Sequence, residues 1–147
     1  MGTLPYLPKD REILYVLATH EFMQAAQKYA KSHSSDSRQP TGAVLVKDGQ
    51  IIGYGANYSW WHETLWCVRK LFRRPTGKGY WMCPGCSPRH HAEASAIRDA
   101  WRRGDDPSGA DLYLWGHWWC CQHCWAKMIK ADIKNVYLPE GANEKFK

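Results

Sequence analysis

The chain lacks any run of about 18 apolar residues, the length that a helix needs to cross a membrane. Its N-terminus lacks the basic and apolar segments of a secretory leader. Tyr6 stands where N-myristoylation requires Ser or Thr. Repeats and low-complexity tracts are also missing. We therefore expect a protein of the cytoplasm with no membrane partner.

Acidic residues are scarce beside basic ones, 14 against 20, and the resulting net charge of +6 favours an anionic partner such as a nucleotide or a nucleic acid. A length of 147 residues, 44% of them hydrophobic, predicts one globular domain. The six cysteines include the pairs Cys83-x-x-Cys86 and Cys121-x-x-Cys124. Without a leader, these spacings favour metal ligation over disulfides.

The first third of the chain predicts a helix and then a hairpin. Asp10 is a suitable N-cap, and apolar residues recur at steps of three and four as far as about Lys31. Residues 41–46 and 51–54 are short β-type runs joined through an Asp-Gly turn, so they should form an antiparallel pair. The apolar stripe of the predicted helix comprises Leu14, Ala18, Phe22, Ala25 and Tyr29.

The last third predicts alternating helices and strands. Residues 91–103 and 121–131 have helical patterns, and residues 111–115 and 135–138 have strand patterns. A strand, a helix and a second strand imply a right-handed parallel crossover. The predicted fold class is α/β, a three-layer α/β/α sandwich with a mixed central sheet. No strand is evident after Leu138, so we expect an open sheet edge there that a neighbouring subunit can cover.

Two short segments combine into a candidate zinc site. His91-Ala92-Glu93 opens one predicted helix, and Cys121-Gln122-His123-Cys124 opens another about thirty residues later. Cysteines three apart share a helix face, and the helix N-terminus stabilises their thiolates. Three protein ligands leave a fourth zinc position for water, whose pKa falls from about 15.7 to about 7. Glu93 is placed to move the protons of that water.

Other ligand sets are compatible with the spacing. Cys120 lies four residues before Cys124 and can compete with Cys121, and His123 is a weaker competitor. A purely structural zinc site, or a set of reduced buried cysteines, would leave Glu93 as a solvated helix residue. Two half-motifs in this order, separated by a strand, favour the catalytic interpretation.

The two half-motifs resemble the H-x-E and P-C-x-x-C signature of the zinc-dependent cytidine and deoxycytidylate deaminase superfamily. The resemblance covers about Thr41 to Leu138, and the residues after Cys124 look most like those of deoxycytidylate deaminases. It implies a cytidine deaminase-like fold, a homo-oligomer, and hydrolytic deamination of a cytosine nucleotide, foremost dCMP to dUMP. It also implies that Glu93 is catalytic and that Asn57 and Ala92 contact the substrate.

The sequence departs from the signature at the wall of the implied pocket. Cys120 replaces the family's proline, and Trp118-Trp119 stand where small or polar residues are usual. A non-catalytic, zinc-stabilised binding module is therefore a further alternative, in which the tryptophans fill the pocket. The intact Glu93 argues against it.

A Trp-rich, basic insert occupies residues from about 58 to 90. Its six basic residues and one acid, Glu63, give it +5 of the net charge of +6. Cations mixed with tryptophans can hold phosphates and stack bases, which supports the alternative of a polynucleotide deaminase acting on cytosine in single strands or adenosine in transfer RNA. A solvated basic face is the plainer interpretation. The residues concerned are Arg69, Lys70, Arg73, Arg74, Lys78, Arg89, Trp60, Trp61, Trp66 and Trp81.

The insert also contains a second candidate zinc site. Cys83-Pro84-Gly85-Cys86 resembles a zinc knuckle, and Cys67 and His90 would complete four ligands of a closed structural site. Some deoxycytidylate deaminases carry an additional structural zinc. The alternative is that these cysteines bind no metal and that His90 caps a helix or lies at the surface.

Overall fold

The computed structural model describes residues 5–61, 67–73, 83 and 86–147, apart from the side chains of Val68 and Lys70. Several residues of the basic insert that bear on the predictions lie outside the described residues. They are Glu63, Trp66, Arg74, Lys78 and Trp81.

Five strands form one mixed sheet, in the spatial order β1-β5-β4-β2-β3. The pairs β1/β5 and β5/β4 are parallel, whereas β4/β2 and β2/β3 are antiparallel. The strands are β1 (Ile13–Val16), β2 (Gly42–Lys47), β3 (Gln50–Ala56), β4 (Asp111–Trp115) and β5 (Asn135–Pro139). The predicted mixed sheet is confirmed.

The helices are α1 (Glu21–His33), α2 (Val68–Leu71), α3 (Ala92–Arg102), α4 (Gln122–Lys130) and α5 (Ala142–Phe146), with a 3-10 turn at Pro88–His90. The crossover helix α4 connects the parallel strands β4 and β5, as the sequence predicts. Among the described residues, no helix has the length and apolar content to span a membrane.

The alternating side chains of β2 show the three layers. Ala43 and Leu45 join the core formed with α3 and α4, whereas Val44 and Val46 join the core formed with α1. Successive side chains of a strand point to opposite faces, so each face of the sheet carries its own helical layer. The α/β/α sandwich is therefore confirmed.

The hairpin of β2 and β3 ends in the predicted Asp-Gly turn. Asp48 and Gly49 have φ angles of +52° and +76°, both in the left-handed region. A two-residue turn of this kind follows the right-handed twist of the paired strands. The hairpin prediction is confirmed.

The predicted helix from Asp10 to Lys31 is wrong in its first half. Asp10 has a φ of +62° and caps no helix, and Ile13–Val16 is a strand whose Ile13 is paired with Val136. The helix begins only at Glu21, where the His20 ring accepts the N–H of Phe22. The four-residue spacing of Leu14, Ala18 and Phe22 imitates a helix, but Ile-Leu-Tyr-Val is a β-type run.

The expected open edge next to β5 is also absent in the described structure. Strand β1 of the same chain pairs with β5 there, so no neighbouring subunit is needed to cover it. The residues after β5 form α5, where Ala142 is buried and the Phe146 ring lies 5.1 Å from the Trp115 ring.

Glycines of β3 let α3 approach the sheet closely. A Cβ atom at Gly55 would overlap the carbonyl oxygen of Ala92 and the nitrogen of Ala96, and one at Gly53 would lie 2.5 Å from the carbonyl oxygen of Ala96. The small stripe Ala92, Ala96 and Ala100 is fully buried against these glycines. This close contact fixes where the N-terminus of α3 lies.

Candidate active site

The N-termini of α3 and α4 bring the first three candidate ligands together. His91 is the N-cap residue of α3, and Cys121 is the N-cap residue of α4. The Cys121 sulfur accepts the backbone N–H of Cys124 at 3.4 Å, which turns both sulfurs to the same side. Because both helices cover the same face of the sheet, their caps meet at one end of it.

The three donor atoms lie within a few tenths of an ångström of the spacing in a tetrahedral zinc site. His91 Nδ1 lies 3.3 Å from the Cys124 sulfur and 3.6 Å from the Cys121 sulfur, and the two sulfurs lie 3.3 Å apart. Bonds of about 2.3 Å to sulfur and 2.0–2.1 Å to nitrogen separate tetrahedral donors by about 3.5–3.8 Å. One imidazole and two thiols therefore fit a zinc ion at this position.

The competing ligands lie outside this cluster. The metal-binding group consists of His91, Cys121 and Cys124. Cys120 is buried beside Glu93 instead, and His123 is exposed on α4. The structure thus favours Cys121 over Cys120.

The electrostatics of the metal-free cluster favour one thiolate. The hydrogen bond with Cys124 lowers the pKa of Cys121 to about 4 against the effect of burial, and the nearby His91 adds to this. The same hydrogen bond and burial raise the pKa of Cys124 well above its usual range. Burial opposes the protonation of His91, but the interaction with Cys121 raises its pKa. The Cys121 thiolate is therefore the group of the cluster that supplies negative charge.

Glu93 lies in the first turn of α3 and is only 4% exposed. Burial raises the pKa of its carboxyl group, while His91 and a hydrogen bond with the Cys120 thiol oppose this. A carboxyl group with a raised pKa can both accept and release a proton near neutral pH. Its position beside the cluster suits a proton shuttle.

A cavity of about 90 Å³ opens onto Glu93, His91 and Cys121. It is smaller than the roughly 300–1,000 Å³ of pockets that enclose a whole drug-sized ligand. Its other described walls are Asp36, Gln39, Thr41, Asn57, Arg69, Cys86, His90, Ala92, His117 and Trp119.

Asn57 and Ala92, the two predicted substrate contacts, both line this cavity. The amide of Asn57 also serves the scaffold, because its Oδ1 accepts the N–H of Thr41 at 2.9 Å and its Nδ2 donates to the carbonyl of Gln39 at 3.1 Å. These bonds fix the orientation of the amide. Contact of either residue with a substrate stays a prediction.

The tryptophan pair leaves the cavity open. The Trp119 indole donates to the carbonyl of Tyr6 at 2.6 Å, which holds the ring against the N-terminal segment. Trp118 lies under the Lys147 ammonium, 5.1 Å from its ring centre. The alternative in which these rings fill the pocket finds no support in this arrangement.

His117 is a cavity residue that the sequence motifs do not indicate. Its only sequence signal is a position between the end of β4 and the first ligand cysteine. Burial, with a smaller effect of His91, lowers the pKa of its ring to about 4. The ring is therefore neutral at pH 7.

The cysteines of the insert form a second cluster. The sulfurs of Cys67, Cys83 and Cys86 lie within 4.8 Å of one another, and those of Cys67 and Cys86 are 3.4 Å apart. Burial raises the pKa of Cys86 to about 12, although the Arg69 guanidinium opposes the shift. His90, the predicted fourth ligand, is not among the donors within 4.8 Å of one another and lines the active cavity together with Cys86. Its part in a second zinc site stays a prediction.

Comparison with known proteins agrees with the fold and the first cluster. Residues 18–140 match the family described as the cytidine and deoxycytidylate deaminase zinc-binding region. The structure resembles dCMP deaminase from the cyanophage S-TIM5 in complex with dCMP and dUMP, with a TM-score of 0.57 and 22% identity over 80% of this chain and 79% of that one.

The apo form of the cyanophage enzyme gives a TM-score of 0.54 and 21% identity over 85% of this chain and 86% of that one. Guanine deaminase from Bacillus subtilis gives a TM-score of 0.50 and 24% identity over 84% of this chain and 66% of that one. At these identities the similarity concerns the fold. No curated protein sequence matches the chain.

Proposed function

The chain belongs to the cytidine and deoxycytidylate deaminase family, and on that basis we propose that it catalyses the hydrolytic deamination of a cytosine nucleotide, foremost dCMP to dUMP. The observation that carries this proposal is the buried Glu93 beside the His91, Cys121 and Cys124 cluster, at a cavity of the size of a base. In the reaction, a C–O bond forms at C4, the C–N bond to the amino group breaks, and ammonia leaves.

The residues of the site have two roles in this proposal, metal ligation and proton transfer. His91, Cys121 and Cys124 would hold Zn²⁺, which supplies a polarised water with a pKa of about 7 when it is bound. Glu93 accepts a proton from the attacking water and delivers it to the ring nitrogen, and it then carries the proton of the new hydroxyl group at C4 to the departing amine. Its burial keeps bulk water from competing for these protons.

A monophosphate fits the charge at the cavity. Arg69 of α2 lines the same cavity as Glu93, and a guanidinium binds phosphate oxygens through directed, charge-assisted hydrogen bonds. A cavity of about 90 Å³ takes the base, which leaves the phosphate at the mouth. These observations support dCMP over the free nucleoside.

The test is ammonia release by the zinc-loaded protein from dCMP, deoxycytidine and a cytosine-containing single-stranded oligonucleotide, measured side by side. We expect dCMP to be the preferred substrate. Glu93→Gln keeps the size of the side chain and should lower kcat on the order of 10³-fold or more while zinc stays bound. Full activity of this variant would overturn the proposed mechanism.

A polynucleotide deaminase is the second candidate, because the exposed Trp60 ring, 63% accessible, lies on the basic insert. This candidate predicts turnover of the oligonucleotide, or of adenosine in transfer RNA, with steep salt dependence of binding. Turnover of oligonucleotide alone would replace our first proposal. Zinc binding without turnover of any of these substrates would indicate a non-catalytic module.

We also propose a second, structural zinc ion at Cys67, Cys83 and Cys86. Three sulfurs within 4.8 Å of one another supply three of the four donors that such a site requires, and Cys83 and Cys86 are buried. Metal analysis of fully loaded protein should give two zinc ions per chain. A value of one, with full activity, would overturn this proposal.

A homo-oligomer remains a further proposal. It is supported by large apolar side chains that are more than half exposed, among them Leu17, Trp60 and Phe72. Light scattering during size-exclusion chromatography should give a mass above the 17.0 kDa of one chain. A mass of one chain at micromolar concentration would contradict the proposal.

A further inference from the structure

We infer that His117 determines base specificity: its Nε2–H donates a hydrogen bond to the 2-carbonyl oxygen of the pyrimidine. This inference rests on the proposed function, since it assumes a cytosine base in the active cavity. His117 lines that cavity together with Glu93 and Asn57. None of the sequence motifs assigns it a role.

The tautomer of His117 follows from its backbone contact. Its Nδ1 accepts the N–H of Trp119 at 3.0 Å, so this nitrogen carries no hydrogen. In a neutral imidazole the other nitrogen, Nε2, then carries the hydrogen and is a donor. Within the described part of the chain, no other hydrogen bond of the ring is found, and Nε2 is not among the buried atoms that lack a partner. The ring that carries this donor lines the cavity.

The ring is held in place before any ligand arrives. The preceding residue, Gly116, has a φ of +94°, and a Cβ atom there would overlap the carbonyl of Pro40. The Gly116 carbonyl accepts hydrogen bonds from Gln39 at 3.1 Å and from Thr41 at 3.4 Å. Together with the Trp119 contact, these bonds hold the backbone and the ring in one position, as base recognition requires.

A neutral donor suits a neutral acceptor. Burial keeps the pKa of His117 at about 4, so the ring has no charge with which to attract a phosphate at pH 7. Among the described residues that line the cavity, Arg69 provides a guanidinium that can serve the phosphate. The imidazole N–H matches a carbonyl oxygen of the base. Adenine has only a C–H at its C2 position, so it would leave this donor unpaired.

The experiment combines a change in the protein with a change in the base. Replacing the 2-oxygen of dUMP or dCMP by sulfur weakens the acceptor while the base keeps its shape. His117→Phe keeps a ring and removes the donor, and His117→Gln places an amide N–H near the position of Nε2. Binding of dUMP and 2-thio-dUMP is measured by calorimetry, and kcat and KM are measured with dCMP and 2-thio-dCMP.

For the wild-type protein we expect 2-thio-dUMP to bind about tenfold more weakly than dUMP, because a neutral hydrogen bond is weakened. His117→Phe should bind dUMP about tenfold more weakly and show no further loss with the sulfur analogue. His117→Gln should recover part of the discrimination. The change should appear in KM more than in kcat, with the zinc content unchanged.

An equal sulfur penalty in wild-type protein and His117→Phe would overturn the inference and leave the deaminase proposal intact. Wild-type protein that neither binds dUMP nor converts dCMP would overturn the proposed function and this inference with it. If His117→Phe does not fold, the comparison of wild-type protein with His117→Gln decides. A sulfur penalty that is larger in wild-type protein than in His117→Gln supports the inference, and an equal penalty in the two proteins, or none in wild-type protein, refutes it.

Discussion

The two thiol clusters of this protein contain similar donors but are built in different ways. His91, Cys121 and Cys124 come from the N-caps and first turns of two helices that pack on the central sheet. Cys67, Cys83 and Cys86 come from the insert, where the nearest described elements are a helix of four residues and a 3-10 turn of three. The first cluster is therefore held by elements of the core, whereas the described neighbours of the second are short helical turns.

The pKa values of the thiols also differ between the two clusters. The pKa of Cys121 falls to about 4 through its hydrogen bond with Cys124, whereas burial raises the pKa of Cys86 to about 12. Beside the first cluster lies a carboxyl group and an open cavity. Beside the second lies the Arg69 guanidinium, and Arg69 and Cys86 also line part of the cavity of the first. In our proposals, similar ligand types serve catalysis in the first cluster and structure in the second, and their different neighbours are the reason for the distinction.

Removing a ligand from the first cluster should have the largest effect. Cys124→Ser is expected to lose one zinc ion and to lower kcat on the order of 10³-fold or more, because the polarised water is lost. Metal analysis and ammonia release provide the measurements. His123→Ala, on the exposed side of the same helix turn, is the matched control and should retain both. Loss of the metal in that control would indicate that His123 is a zinc ligand after all.

Removing a ligand from the second cluster should affect stability more than catalysis and so distinguish the roles of the two sites. Cys83→Ser is expected to lose the other zinc ion and to lower Tm by roughly 5–10 °C, with kcat changed only a few-fold. A rise in KM for dCMP is expected as well, because Arg69 contacts Cys86. His90→Ala should keep both ions, since His90 lies outside the cluster. A loss of kcat as large as that of Cys124→Ser would mean that the clusters are not independent.

A substitution in β3, against which α3 packs, should lower the zinc affinity of the first cluster indirectly. Gly55→Ala places a Cβ atom against the backbone of Ala92 and Ala96 and should lower the free energy of unfolding by about 1–3 kcal/mol. Because α3 must move, the zinc affinity should fall too. Gly49→Ala, whose Cβ meets nothing within 4 Å, is the control for backbone strain alone. Equal zinc affinity in both variants would contradict this account.

The smallest expected effect concerns the far end of α3 and depends on pH. Burial opposes the charge on Asp99, but hydrogen bonds from the Tyr54 N–H at 2.9 Å, Arg102 at 2.6 Å and Arg103 at 2.8 Å lower its pKa. The folded state therefore holds the proton less tightly than the unfolded state, whose pKa is about 3.9. The resulting stability is complete above that value and is lost as the pH falls through the folded-state pKa.

Asp99→Asn should accordingly cost about 1–2 kcal/mol at pH 7 and progressively less below about pH 4. Urea unfolding at a series of pH values measures this difference. Asp105→Asn, on an exposed residue just after the helix, should cost little at any pH. A penalty for Asp99→Asn that does not change between pH 7 and pH 3 would show that the carboxylate charge is not the cause.

The catalytic ligands could be predicted from the sequence because they obey local rules. His91 and Cys121 are N-caps, and Cys124 lies on the same helix turn as Cys121, so spacing alone places them. The hairpin was predictable for a similar reason, since its turn consists of two adjacent residues. Periodicity identifies such features because all of their determinants lie within a few residues.

The features that the sequence did not indicate depend on distant partners. Residues 13–16 are a β-type run that pairs with β5, and the helical spacing of the apolar residues around them favoured the wrong prediction of a helix. His117 enters the cavity because a loop after β4 brings it there. His90 was expected at the second cluster because it is close in sequence, but the fold turns it to the active cavity. No local pattern records these long-range contacts.

The parallel pairing of β1 with β5 sets the order in which this protein can be completed. Ile13 and Val136 are partners although they lie about 120 residues apart, and contacts of such long range slow folding. During synthesis the N-terminal strand must wait, unpaired, until residues 135–139 have left the ribosome. The ligand cysteines 121 and 124 are released just before that. The metal site and the closing strand of the sheet therefore become available within the same short interval of translation.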